Sequence, residues 1–74
     1  MLIQQLELKI GERAVCYAGY PHKSKLVVEC KKDFSEAKNS DDIVNDPHGY
    51  LNIIERGMTG ISTSHVISAN WEKL

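Results

Sequence analysis

Short runs in which apolar and polar residues alternate constrain the fold of this chain most strongly. Residues 6–10 and 26–31 alternate with a period of two, as strands with one buried face do. Residues 14–18 are small, branched or aromatic, a composition that also suits a strand. Because residues 19–24 contain Gly, Pro and Ser, which favour turns, we expect the last two runs to form a hairpin.

The alternation is lost between residues 33 and 49. Ser40, Asp41 and Asp42 are residue types that favour the first turn of a helix, where Ser40 accepts from an early backbone N–H. Pro47 is expected to stop helical structure, since the residue before a proline is disfavoured in the α region. The segment is therefore predicted to be a long loop that contains one or two helical turns.

The second half of the chain returns to short strand-like segments. Residues 50–56, 61–63 and 69–74 have strand character, and residues 64–67 are predicted to form a single helical turn. A chain of 74 residues has room for one thin core and no cleft between domains. Residues 1–74 are therefore predicted to form one domain with five or six strands.

Strands this short expose their edges if the sheet stays open, and closing the sheet removes those edges. We therefore expect an all-β fold, a small barrel of five or six strands with a short helical turn in the 33–49 loop. Two segments resemble SH3-like small barrels. Residues 10–15 resemble the entry into their first strand, and residues 60–66 resemble their closing strand, turn and strand. The acidic-aromatic loop and the tryptophan pair of SH3 domains are missing, so the resemblance implies the fold and not the binding of proline-rich peptides.

The formal net charge of −1 conceals a segregation of charge along the chain. Residues 1–32 carry six cations and three anions, whereas residues 33–46 carry five anions and one cation. Residues 47–74 carry two of each. Such asymmetry orients charged partners, although it does not determine a fold.

The acidic segment favours a non-catalytic protein-interaction module, such as a small inhibitor from a mobile element or an accessory subunit. Asp41, Asp42 and Asp46 would supply charge complementarity to a protein partner whose identity the sequence does not give. Aromatic side chains often anchor protein interfaces. The candidate contact aromatics are Tyr20, Tyr50 and Trp71.

An alternative function is weak nucleic-acid binding by the basic hairpin, residues 20–32. Lysines that follow a phosphate backbone, together with aromatic rings that stack on bases, are typical of small barrels that bind single strands. The candidate residues are Lys23, Lys25, Lys31 and Lys32, with Tyr20. The isoelectric point of about 6.3 disfavours this alternative.

No motif in the sequence predicts an enzyme, a metal site or a cofactor. Ser64 and His65 are adjacent, so on a strand their side chains would point to opposite faces and would not form a catalytic pair. Cys16, Cys30 and the histidines lack the close spacing of zinc ligands.

The N-terminal residues lack the features of an export signal, and no run is long and apolar enough for a membrane helix. We therefore expect a cytoplasmic protein in which Cys16 and Cys30 are reduced. A bridge between the two cysteines stays open as an alternative, because neighbouring strands would bring them close.

Overall fold

The computed structural model describes residues 1–19, 22–57 and 63–74. The strands are β1 (Arg13–Ala18), β2 (Ser24–Cys30), β3 (Leu51–Arg56) and β4 (Glu72–Lys73). The helices are 3-10 turns at Ile3–Leu6 and Phe34–Glu36, with α1 (Asp41–Asn45), α2 (Pro47–Tyr50) and α3 (Thr63–Ser68).

The strands form one open antiparallel sheet in the order β3-β2-β1-β4. The predicted hairpin is confirmed, since β1 and β2 pair along their length with Val15 opposite Val27. The pairing of β2 with β3 contains a bulge, because Val27 lies opposite Glu55 and Val28 lies opposite Ile53. Ile54 is therefore the extra residue of β3, and it increases the local twist of the strand.

The core lies on one face of the sheet. Alternate residues of the central strands point to this face, as the period of two requires. They are Ala14, Cys16 and Ala18 of β1 and Leu26, Val28 and Cys30 of β2. The side chains that pack on them from the rest of the chain are Ile3, Leu8, Phe34, Ile43, Tyr50, Leu51 and Trp71.

The opposite face of the sheet, here called the outer face, is polar around a small apolar centre. Val15 and Val27 are 8% and 5% exposed. Arg13 Nε lies 3.1 Å from Glu29 Oε1 beside them, and Tyr17 is 61% exposed. Antiparallel sheets commonly have one such solvated face.

The predicted all-β barrel is wrong. The structure has one open four-stranded sheet, and about a third of its residues are helical. Helical turns within residues 34–50 supply Phe34, Ile43 and Tyr50 to the core, so the sheet buries its apolar face without closing on itself. The last strand is only two residues long and pairs with β1, which leaves β3 and β4 at opposite edges.

The first alternating run is not a strand. Residues Ile3–Leu6 form a 3-10 turn, and Glu7 follows in the left-handed conformation with φ 50° and ψ 47°. This reversal directs Leu8 into the core, where its exposure is 0%. The alternation of residues 6–10 therefore belongs to an irregular segment that packs on the core. The sequence pattern alone does not distinguish such a segment from a strand.

The C-terminal segment is more helical than expected. The predicted turn at 64–67 is confirmed as part of α3, whereas the predicted strand at 69–74 is reduced to Glu72–Lys73. Residues 61 and 62 of the strand predicted at 61–63 lie outside the described residues, and Thr63 begins α3. Trp71 enters the core before β4, and its backbone N–H donates to Met1 O at 2.7 Å.

Candidate functional site

The acidic segment folds around hydrogen bonds from backbone N–H groups to carboxylates. Asp42 Oδ2 accepts from the backbone N–H groups of Lys38 at 2.9 Å and Asn39 at 3.3 Å. Ser40 is the N-cap residue of α1, but its side chain makes no capping hydrogen bond, contrary to expectation. Asp42 instead fixes the chain that leads into the helix.

A second carboxylate organises the turn between α1 and α2. Asp46 Oδ1 accepts from the backbone N–H of Gly49 at 3.2 Å, and Pro47 occupies the first turn of α2. The predicted stop before Pro47 is confirmed, since α1 ends at Asn45 and Asp46 leaves the α region with φ −139° and ψ 62°. Pro47 then begins a new helix, which the sequence did not predict. A proline is tolerated at this position because the N–H it lacks has no partner in a helix.

A third carboxylate caps the turn that begins at Phe34. Asp33 Oδ1 accepts from the backbone N–H of Ser35 at 2.9 Å. The hydrogen bonds from Ser35 lower the pKa of Asp33, which therefore stays ionised. We call the set of carboxylates on residues 33–46 the acidic surface. Its members are Asp33, Glu36, Asp41, Asp42 and Asp46.

The acidic surface is held against the core by apolar side chains of the same segment. Ile43 of α1 is 2% exposed and Phe34 is 6% exposed. Glu36, Asp41 and Asp46, in contrast, are exposed. The segment thus has an apolar inner side that faces the core and a charged outer side that faces solvent.

A groove of about 400 Å³ lies beside the acidic surface. Its lining includes two acidic residues, Glu7 and Asp33, and one basic residue, Lys9. Gln4 also lines the groove, and among the described residues its Oε1 is the one buried side-chain polar atom without a hydrogen-bond partner. The groove is open to solvent and large enough for an extended side chain.

The candidate lysines do not form one patch. Lys23 and Lys25 lie at one end of β2, and Lys31 and Lys32 follow its other end. The seven residues of β2 separate the two pairs by roughly 20 Å. Lys25 Nζ lies 3.8 Å from Glu55 Oε2, and Lys32 Nζ lies 4.9 Å from the centre of the Tyr50 ring. In each pair, one lysine therefore already contacts another side chain of the protein.

Two of the three candidate contact aromatics are buried. Tyr50 is 5% exposed and packs edge-on against Phe34, with ring centres 5.9 Å apart. Trp71 is 1% exposed, and its Nε1 donates to Val66 O at 2.8 Å. Neither ring offers surface to a partner, and Tyr20 lies outside the described residues.

The exposed aromatic on the outer face is instead Tyr17, which lies opposite Lys25. Sequence reasoning also missed Ile53 and Ile54, which are exposed on β3. The alternation along β1 already places Tyr17 on the same face as Val15, away from Cys16. The exposure of the two isoleucines follows only from the position of β3 at the sheet edge, which the sequence does not give.

Both cysteines are free and buried. Cys16 lies opposite Leu26 on the neighbouring strand, so the register does not pair it with Cys30. Burial raises the pKa of Cys16 to about 11 and also raises the pKa of Cys30, whose Sγ donates to Lys32 O at 3.0 Å. A thiol that stays protonated is a poor nucleophile.

Within residues 1–19, 22–57 and 63–74, no three His, Cys, Asp or Glu side chains come together as metal ligands would. None of the helices in these ranges has the length and apolar character that crossing a membrane requires.

Comparisons with known protein families, with curated proteins and with solved structures give no match to this chain. The resemblance to SH3-like barrels is therefore not confirmed. What stands is a small domain built on one antiparallel sheet.

Proposed function

We propose that this protein is a non-catalytic interaction module whose acidic surface binds a basic segment of a partner protein. The observation that carries the proposal is the fixing of three carboxylates, on Asp33, Asp42 and Asp46, by backbone N–H groups. A small inhibitor or an accessory subunit would act in this way.

Fixed carboxylates favour binding because less conformational entropy is lost when the partner arrives. An Asp side chain that already accepts from the backbone keeps its charge in one place, and its second oxygen has lone pairs for a Lys or Arg donor. Glu36 and Asp41 add two exposed anions to the same segment. The resulting field steers a basic partner towards this side of the molecule.

The groove beside the acidic surface supports the same proposal. A cationic side chain of the partner that enters it would meet the carboxylates of Glu7 and Asp33. Lys9 also lines the groove, and its positive charge would repel a dense cluster of cations more strongly than a single cation. We therefore expect a partner segment in which isolated Lys or Arg residues alternate with other residue types.

Nucleic-acid binding has less support. Its four candidate lysines are divided between the two ends of β2, and Lys25 is neutralised in part by Glu55. Arg13, another cation of the outer face, is paired with Glu29 in the same way. The phosphates of a nucleic-acid strand would therefore meet no continuous row of unpaired cations on the outer face of the sheet.

The proposal is tested by capture of partners from a lysate of the source organism, with the intact protein as bait. The variant D41N/D42N/D46N removes three charges from the acidic surface. Because Asn caps helices about as well as Asp, the turns are expected to persist, and circular dichroism checks this. The matched control E29Q/E55Q/E72Q removes three charges from β2, β3 and β4, outside the acidic surface.

We expect proteins that the wild type and the control both capture, that salt releases, and that the acidic-surface variant fails to capture. Equal capture by all three proteins would contradict the proposal. Titration with single- and double-stranded DNA and RNA at low ionic strength completes the test. Salt-dependent binding there, abolished by K23Q/K25Q/K31Q/K32Q, would favour the nucleic-acid alternative instead.

A further inference from the structure

A second groove, of about 570 Å³, lies beside the part of β1 that β4 does not cover. β4 pairs only with Ala14 and Val15, whereas β1 continues to Ala18. One wall of this groove comes from β1, and the other includes His65 and Ser68 of α3. Its volume falls within the range of about 300–1,000 Å³ that is typical of ligand sites.

The backbone of Tyr17 is turned towards this open edge. Leu74 N–H donates to Arg13 O at 2.9 Å, so the backbone carbonyl of Arg13 points to the side of β4. Because the direction of the backbone groups alternates along an antiparallel strand, those of Tyr17 point to the same side. No residue of β4 lies opposite Tyr17, so among the described residues its N–H and C=O have no strand partner there. Such groups pair readily with another extended chain.

Lys23 and Glu72 line the groove with opposite charges. Within the described part of the chain, neither side chain forms an ion pair, whereas Lys25 of β2 lies 3.8 Å from Glu55 of β3. The groove thus offers one unpaired cation and one unpaired anion to a ligand.

The two charges lie near opposite ends of the groove. Glu72 lies opposite Val15. Lys23 precedes Ser24, which lies opposite Ala18 at the other end of the groove. Four residues of strand therefore separate the two backbones along β1, a distance of roughly 13 Å. An extended peptide has the same rise per residue, so acidic and basic side chains about four residues apart would meet both charges at once.

We infer that this groove binds an extended segment of a partner protein in which an acidic residue precedes a basic residue. The segment lies antiparallel to β1, as β4 does, since parallel pairing is slightly less stable. In this direction the acidic residue comes first and meets Lys23, and the basic residue meets Glu72. The N–H and C=O of Tyr17 pair with a residue between them.

The binding is expected to be weak. β4 occupies the place opposite Val15, so only the residues next to Tyr17 join the ladder, and the basic residue reaches Glu72 through its long side chain. Ion pairs between exposed side chains contribute little each. We therefore expect a dissociation constant of about 0.1–1 mM.

The first test measures amide hydrogen exchange and chemical shifts by NMR. In the free protein, Tyr17 N–H should exchange faster than the N–H groups of Cys16 and Ala18, which point to β2. The probe is the peptide acetyl-Glu-Val-Thr-Val-Lys-amide, added to about 2 mM. Saturable shifts should centre on Tyr17, and its exchange should slow. Protection of the Tyr17 amide in the free protein, or no saturable shift in the groove, would overturn the inference.

The second test reverses the charges of the peptide and of the groove. The peptide acetyl-Lys-Val-Thr-Val-Glu-amide should bind the wild type at least about threefold more weakly than the first peptide. The variant K23E/E72K should prefer this reversed peptide instead. The matched control K25E/E55K reverses an ion pair outside the groove lining and should keep the wild-type preference. Equal binding of both peptides by the wild type, or an unchanged preference in folded K23E/E72K, would show that the inference is wrong.

A third measurement separates this groove from the acidic surface. The variant D41N/D42N/D46N should bind the first peptide as the wild type does, since none of its substitutions lines this groove. K23E/E72K should in turn keep the capture of partners by the acidic surface. Loss of peptide binding in folded D41N/D42N/D46N would place the peptide on the acidic surface and refute the site proposed beside β1.

Discussion

Replacing Trp71 with Phe tests whether this ring stabilises the core or contacts a partner. Trp71 is 1% exposed, and its Nε1 donates to Val66 O at 2.8 Å. Loss of this hydrogen bond costs about 1 kcal/mol and leaves the Val66 carbonyl without its donor. The smaller ring costs about 1–2 kcal/mol more through lost apolar burial and the cavity that remains.

Together these terms lower the free energy of unfolding by roughly 2–3 kcal/mol, a large share of the stability of a domain of this size. The corresponding decrease in Tm is roughly 10–20 °C, because each kcal/mol shifts the Tm of a small domain by about 4–8 °C. Thermal unfolding followed by circular dichroism measures this decrease. Single domains of this size usually unfold as one cooperative unit, so we expect a single transition in which this change is readily detected.

The control for this prediction is Tyr17→Phe, since Tyr17 is 61% exposed on the outer face. Its effect on the free energy of unfolding should stay within about 0.5 kcal/mol, as for other surface substitutions. A decrease in Tm below about 4 °C for Trp71→Phe would refute the assignment of Trp71 to the core. Loss of partner capture with an unchanged Tm would instead favour the contact role.

Three further predictions concern backbone strain, close packing and pH. Glu7→Gly should raise the free energy of unfolding by about 0.5–1 kcal/mol, because Glu7 has φ 50°, a left-handed conformation that glycine adopts without strain. Glu7→Ala keeps the strain, so urea titrations should show no such gain for it. Gly57→Ala should lower the free energy of unfolding by about 1–3 kcal/mol, since the added Cβ would overlap Ser24 Cβ. The added Cβ of Gly11→Ala meets no neighbouring atom, so the stability lost there comes only from the backbone strain of φ 90°. Burial raises the pKa of Cys16 from its ordinary 9.0 to about 11, so its contribution to stability is complete below pH 9.0 and is lost as the pH rises towards 11. Cys16→Ala should therefore flatten the decrease in urea midpoint over this interval, and an identical slope in both proteins would contradict the buried position of this thiol.

The hairpin and the helical turns were predictable because their signals are local. The strand-like composition of residues 14–18, the alternation of residues 26–31 and the turn residues between them predict the hairpin from neighbouring residues alone. The acidic residues before Ile43 likewise predict a helix start, and α1 begins at Asp41. The same reasoning identified the wrong capping residue. The Ser40 side chain does not cap this helix, and Asp42 instead accepts a hydrogen bond from the preceding backbone.

The errors came from features that depend on distant parts of the chain. Residues 6–10 alternate, but Glu7 adopts a left-handed conformation that the sequence pattern does not reveal. Trp71 and Tyr50 were candidate contacts, and the structure buries both. An aromatic ring fits a core or an interface equally well, so only its neighbours in space decide between them.

The sequence by itself determined where the charges lie, which segment is acidic, and that β1 and β2 form a hairpin, because each of these depends on neighbouring residues. Only the tertiary structure decided that the sheet stays open. Helical turns from residues 34–50 cover its apolar face, and β4 pairs with β1 rather than completing a barrel. That arrangement leaves β3 as an exposed edge of the sheet. Contacts between residues far apart in the chain decided these features, and no local pattern encodes such contacts. The hydrogen bonds that hold the carboxylates of the acidic surface, in contrast, join residues only two to four positions apart.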